Sequence, residues 1–166
     1  MEKLLRKAVT EDFKEVAALY HAAVARMIED RIYQWDEIYP DDKILLEDIL
    51  RGEMYLLEAE GRLAACIVLN EEQDDLYRTG SWRFTGQRVA VIHRLCVHPK
   101  FQGAGIGKKT VRLAEAMAKE NGYGIIRLDA FSQNDHARNL YKNLGYTYAG
   151  QVNFRKGLFY LMEKAL

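Results

Sequence analysis

This 166-residue chain has only two cysteines and two prolines. Two thiols cannot supply the disulfide framework of a small secreted scaffold. Cys66 and Cys96 each lie inside an apolar run, Leu63–Leu69 and Val89–Val97, and read as reduced core thiols of a cytoplasmic protein. No separate Cys-His-Asn set points to a reactive thiol. The prolines are Pro40 and Pro99, and no Gly/Ser-rich linker, repeat or low-complexity tract interrupts the chain. One domain over residues 1–166 is therefore expected. Charge of neither sign prevails, because 24 Lys and Arg face 24 Asp and Glu. That removes the basic excess of a protein devoted to nucleic acid. No window approaches the roughly 18 apolar residues of a membrane-spanning helix, and the opening Met-Glu-Lys-Leu-Leu-Arg-Lys lacks the apolar stretch of a signal peptide. No His, Cys, Asp or Glu grouping has metal-ligand spacing, so no metal is expected.

What is present is periodic. Leu4–Ala8 predicts a short strand, with Thr10 or Asp12 capping the helix that follows. That helix carries a stripe of Phe13, Val16, Ala17, Tyr20, Ala23, Val24, Met27 and Ile28. Arg31–Pro40 is aromatic and irregular, and Asp41 or Asp42 opens a second helix ending near Gly52. Met54–Glu58 and Leu63–Leu69 predict a hairpin, and Arg88–His98 a strand stopped by Pro99. A helix follows with Ile106, Thr110, Leu113, Ala114, Met117 and Ala118 on one face, closed by Asn121-Gly122. Ile125–Phe131 is a strand, and Asn134 or Asp135 opens a helix ended by Gly145. Tyr146–Val152 and Gly157–Met162 are the last strands. The order β-α-α-β-β-β-α-β-α-β-β predicts an α/β fold with a mixed central sheet flanked by helices.

The most informative segment runs Val97-His98-Pro99-Lys100-Phe101-Gln102-Gly103-Ala104-Gly105-Ile106-Gly107-Lys108-Lys109. A strand enters a glycine-rich turn and a helix starts there. A helix start presents unpaired N–H groups and the positive end of the helix dipole, and glycines let an anion approach. Lys100, Lys108, Lys109 and Arg112 add charge. This chemistry suits a phosphate or pyrophosphate. Two familiar phosphate loops do not fit. A P-loop needs four residues between its glycines and then Lys-Ser/Thr, whereas Gly103 and Gly107 are separated by three and Lys109 follows Lys108. The dinucleotide fingerprint needs Gly-x-Gly-x-x-Gly, and here the spacing is Gly103-x-Gly105-x-Gly107.

Gln102, Gly105 and Gly107 do match the Gln/Arg-x-x-Gly-x-Gly/Ala pattern of the GNAT superfamily of N-acetyltransferases. About 30 residues on, Asn134-Asp135-His136-Ala137-Arg138-Asn139-Leu140-Tyr141-Lys142-Asn143-Leu144-Gly145-Tyr146 resembles that family's Asn-x-x-Ala-x-x-Leu-Tyr-x-x-x-Gly-Phe/Tyr element. The element order resembles the family along nearly the whole chain, and the residue-level likeness is concentrated in 88–150. The resemblance implies acetyl-CoA as co-substrate. The backbone of Leu95, Cys96 and Val97 would pair with its pantetheine arm like an added strand. The N–H groups from Gln102 through Gly103, Ala104, Gly105, Ile106 and Gly107 to Lys108 would hold the pyrophosphate. Asn134 would contact the pantetheine, and Tyr141 would lie near the thioester sulfur and act as the acid. Against these roles stand a plain helix cap for Asn134 and a core aromatic for Tyr141.

Many relatives also place an acid or histidine on the strand before the loop. Where some carry Glu, this chain has Val91; where some carry His, it has His93. His93 is then the expected base, with a sheet-bonded structural histidine as the bland reading and Asp129, Glu37 or water as other routes. His98 reads as structural or exposed, and His21 and His136 as surface residues. Arg31–Pro40, Asp74–Gly86 and Gln151–Leu158 are the segments on which acceptor choice would depend. Their aromatics would line an apolar slot or serve the core or a dimer contact. The acceptor is a primary amine, on a small molecule or a peptide; no nucleic-acid or membrane partner is expected, and a homodimer stays open. The competing reading is a non-catalytic acyl-CoA-binding or regulatory module.

Overall fold

The computed structural model describes residues 4–166; the opening Met-Glu-Lys lies outside them. Among the described residues β1 (Arg6–Lys7), β2 (Met54–Ala59), β3 (Arg62–Asn70), β4 (Val89–Val97), β5 (Ile125–Phe131), β6 (Thr147–Phe154) and β7 (Gly157–Ala165) form a seven-stranded mixed sheet in the order β1-β2-β3-β4-β5-β7-β6. The chain resolves into two compact units, each made of non-contiguous segments. The first holds the described chain up to Leu69 and His93–Ala114; the second holds Asn70–Ile92 and Glu115–Leu166.

The first unit begins with β1 (Arg6–Lys7), α1 (Phe13–Glu29), α2 (Asp42–Leu50), β2 (Met54–Ala59) and β3 (Arg62–Asn70). It continues with the later part of β4 (Val89–Val97) and the start of α3 (Ile106–Glu120). β1 is shorter than the predicted Leu4–Ala8. The predicted cap also differs: Thr10–Asp12 is a 3-10 turn, and the Asp12 carboxylate accepts the Val9 N–H at 2.8 Å and pairs with Arg6 instead of capping α1. Hydrogen bonding to the Arg6 guanidinium holds that carboxyl below its ordinary range. α1 buries Val16, Leu19, Tyr20 and Ala23, a spacing that sets one helical face inward. Its last turn leaves Ile28 exposed, so the predicted stripe ends early. Asp41 caps α2 through the Ile44 N–H at 2.9 Å, as its sequence position implies. Trp35 is buried against Tyr20, which makes this aromatic of the irregular segment a core residue. Cys66 and Cys96 are free, buried thiols, and burial pushes both up from the ordinary thiol range.

The second unit is built on β5 (Ile125–Phe131), α4 (Asp135–Asn143), β6 (Thr147–Phe154) and β7 (Gly157–Ala165). β4 pairs with β5 in parallel, Val89 to Ile125 through Val91 to Arg127. β5 pairs antiparallel with β7 along its whole length, and β6 and β7 form the closing hairpin. β7 outruns its predicted end at Met162 because Glu163 is buried rather than exposed. Its carboxylate accepts the backbone N–H groups of Arg83 and Phe84 at 2.8 and 2.9 Å, which compensates its burial. Buried Glu115 is matched likewise, by Lys164 at 2.9 Å and the Tyr146 hydroxyl at 2.7 Å. Val111 and Glu115 thus join the buried face of α3, while predicted Leu113 and Met117 are only half-buried. The chain closes α3 with Gly122 N–H to Lys119 O and Tyr123 N–H to Ala118 O, a paired C-terminal motif.

Candidate active site

In the first unit, the later part of β4, the glycine loop and the start of α3 form one continuous strand–loop–helix. Its entry is fixed by Arg94, whose φ of +50° is unusual for a non-glycine residue in a strand. Three side chains hold this bend. Asp48 receives two guanidinium bonds, both 2.8 Å. The Tyr39 hydroxyl accepts a third at 2.8 Å, and the Tyr20 hydroxyl donates to the Arg94 carbonyl at 2.6 Å. Burial pushes the Asp48 carboxyl up, and the guanidinium pulls it part-way back. Leu95 and Val97 follow, half-buried, with the Cys96 side chain in the core. His93 precedes the bend and is half-buried.

Pro99–Phe101 makes a single 3-10 turn after β4. The His98 backbone N–H bonds Ala64 O at 2.8 Å, and its Nδ1 accepts the Lys100 N–H at 3.1 Å, so His98 shapes the loop. Gly103 and Gly105 have φ of +83° and +76°. A Cβ on either would meet nothing within 4 Å, so glycine answers a backbone requirement there and not crowding. The first turn of α3 opens the accounting of its hydrogen bonds at Lys109 N–H to Gly105 O, 3.1 Å. The N–H groups of Ile106, Gly107 and Lys108 stand ahead of it, where a helix has no carbonyl to offer them. Lys100, Lys108 and Arg112 are exposed around this end. The arrangement can receive an anion on backbone donors.

In the second unit, Asn134 caps α4 through the Ala137 N–H at 3.1 Å and is itself buried. Two turns later Tyr141 is 6% exposed. Burial, then the charge of Asp129, push its phenol up from the ordinary value. Among the described residues nothing hydrogen-bonds its hydroxyl, although its ring meets that of Tyr146 edge-on at 5.5 Å. Asp129 on β5 accepts the Tyr77 hydroxyl at 2.6 Å. Tyr77, 2% exposed, sits in a 3-10 turn over Asp75–Thr79. With Asp74, Trp82 and Arg127 it lines a hollow of about 300 Å³ whose other walls, Gln73, Asp75 and Arg78, are polar.

The chain was compared with known proteins. Residues 18–146 match the model of the acetyltransferase (GNAT) family. This chain belongs to the GNAT acetyltransferase family. An uncharacterized N-acetyltransferase of Bacillus subtilis, YesJ, is 27% identical over 147 residues, covering 86% of this chain and 81% of that protein. A GNAT-family acetyltransferase structure from Streptococcus agalactiae superposes with a TM-score of 0.85 at 21% identity, covering 99% of this chain and 95% of that one. The PaiA N-acetyltransferase of Thermoplasma acidophilum, solved in complex with coenzyme A, superposes at 0.74 with 20% identity and full coverage of both chains.

Within this GNAT fold the predicted residues fall into two sets. His93, Leu95, Cys96, Val97 and Gln102 to Lys108 lie in the first unit; Asn134, Tyr141 and Asp129 lie in the second. Glu37 is exposed in the irregular segment, His21 pairs with Asp42 at 3.0 Å on the surface, and His136 is exposed. Sequence reasoning missed Tyr77, Asp48 and Arg94. Their partners lie 52 and 46 residues away, beyond any local pattern. The one available signal was a charged residue inside a largely apolar segment, Asp48 in Ile44–Leu50 and Arg94 in Val89–Val97. Among the described residues no group of three His, Cys, Asp or Glu is arranged to hold a metal ion, and no helix is long and apolar enough to cross a membrane.

Proposed function

We propose that residues 1–166 act as one domain that transfers an acetyl group from acetyl-CoA to a primary amine by direct attack on the thioester. The observation that carries this reading is the anion-receiving start of α3, with its positive-φ glycines and unpaired N–H groups. Family membership supports the reaction class, and the coenzyme A complex of the PaiA relative supports the co-substrate. Gln102 to Lys108 would hold the pyrophosphate on backbone N–H groups. The backbone of Leu95, Cys96 and Val97 would pair with the pantetheine arm, and Asn134 would contact it. An alkylamine with a pKa of about 10.4 must lose a proton to become a nucleophile, and His93 accepts it. The nitrogen bonds to the carbonyl carbon, the carbon–sulfur bond breaks, and Tyr141 supplies a proton to the departing sulfur. The amide and free CoA are the products.

Gly107 gives the cleanest test of the cofactor site. Unlike Gly103 and Gly105 it does not have a positive φ, so Gly107→Glu demands no left-handed backbone and brings bulk and negative charge to the start of α3. Acetyl-CoA affinity measured by calorimetry should fall at least ~10-fold, the effect of about 1.4 kcal/mol. Unchanged affinity in a folded variant would remove the central claim.

A further inference from the structure

We propose that Asp129, held by Tyr77, is the anionic group that receives the acceptor's ammonium and so selects cationic amines over neutral acceptors. The inference rests on the acetyltransferase reading above and adds the recognition of its second substrate.

An alkylamine arrives at neutral pH as a cation. Taking it into a partly buried site costs its hydration unless a counter-charge meets it. Asp129 is such a charge, half-buried on β5. The Tyr77 hydroxyl bonds its Oδ2 at 2.6 Å, and a hydrogen bond to the charged form favours that form. The donor's direction is set as well. Burial and the carboxylate's own charge push the Tyr77 phenol far above its ordinary value, so the proton stays on Tyr77. Tyr77 is itself fixed. Asp74 caps its turn through the Leu76 N–H at 2.9 Å, and Trp82 Nε1 donates to its carbonyl at 2.7 Å.

The second observation is electrostatic. The Asp129 charge is felt by the Tyr141 phenol, which the proposed reaction sets beside the departing sulfur. A nitrogen held by Asp129 therefore lies in the neighbourhood of that acid. Tyr77 faces Asp129 from its turn and Tyr141 from α4, and β7 sets apolar Leu161 in register with it. On β5 itself Arg127 directs its guanidinium to Gln73 and the Phe84 carbonyl, at 3.0 and 3.1 Å. Tyr77 acts through Asp129 as a positioning residue.

The test is steady-state kinetics with acetyl-CoA and a panel of amino acids, polyamines and peptides, from pH 4.5 to 8. Asp129→Asn should raise the amine KM at least about 10-fold and leave the KM for acetyl-CoA within about twofold. In the wild type the amine KM should climb on acidification, as Asp129 takes a proton. Tyr77→Phe removes the bond that favours the carboxylate, so that climb should begin about one pH unit higher. In Asp129→Asn it should vanish. A Tyr77 that only supports the fold would lower Tm in Tyr77→Phe and leave the pH profile in place, which overturns the proposal. So does an unchanged amine KM in Asp129→Asn. Should Asp129→Asn not fold, Tyr77→Phe, which keeps the ring, decides alone. His93→Ala serves as the contrast, lowering kcat while the amine KM holds. Absence of CoA release by the wild type with every amine overturns the acetyltransferase reading itself, and this assignment with it.

Discussion

Three phenols are buried in the second unit, and they are treated differently. Tyr77 donates to Asp129 and Tyr146 donates to Glu115 at 2.7 Å, whereas the Tyr141 hydroxyl has no hydrogen-bond partner among the described residues. Losing the Tyr141 hydroxyl therefore breaks no hydrogen bond within the protein. Tyr141→Phe should accordingly leave thermal stability unchanged or slightly raised while turnover falls by roughly 10- to 10³-fold. Tyr146→Phe should do the reverse, losing about 1–2 kcal/mol in urea unfolding with turnover preserved. Wild-type turnover by Tyr141→Phe, where chemistry limits the rate, would return Tyr141 to the core. Its position was legible in the sequence because Asn134, Ala137, Leu140 and Tyr141 recur at helical spacing in one short motif. The phenol of Tyr77 was not, since its meaning depends on a carboxylate that only the fold brings to it.

At the scale of elements, β4 is decisive. A non-glycine residue at φ +50° stays there only if its surroundings impose it, and Asp48, Tyr39 and Tyr20 do so for Arg94. The Arg94 and Asp48 side chains are 12% and 5% exposed. Removing one partner of a buried pair strands the other charge, so Asp48→Ala should cost about 3–5 kcal/mol in chemical denaturation. If the bend is what presents Leu95–Val97, acetyl-CoA affinity should fall with it. A loss below 1 kcal/mol would show that the strand bends without this help. The elements themselves were readable where periodicity was strong, as in α1, β5 and α4. Their ends were less so. β1 is only two residues long, and β7 runs on through Glu163, because backbone donors from a distant loop make a charged residue acceptable inside the sheet. No alternation of apolar residues encodes that.

At the scale of the molecule, the absence of a linker implied one domain, and composition could not reveal that two compact units are assembled from interleaved segments. β4 and α3 pass from one unit to the other as unbroken secondary structure, which should tie their unfolding together. The chain has two tryptophans, Trp35 in the first unit and Trp82 in the second. Trp35→Phe and Trp82→Phe therefore yield proteins that each report one unit by fluorescence. Their urea transitions should coincide with each other and with circular dichroism, as a cooperative transition requires. Separated midpoints would show two independently melting bodies.

The burial of Cys66 and Cys96 also has a practical side. A colour reagent that reacts with sulfhydryls sees the solvent-exposed thiol of a released product and passes over two that lie 0% and 3% exposed. The folded protein should contribute almost no background to such an assay, and reaction progress can be followed continuously by eye or plate reader. Each molecule that denatures during the run would add two equivalents of colour, so a blank lacking the acceptor doubles as a running count of the protein lost.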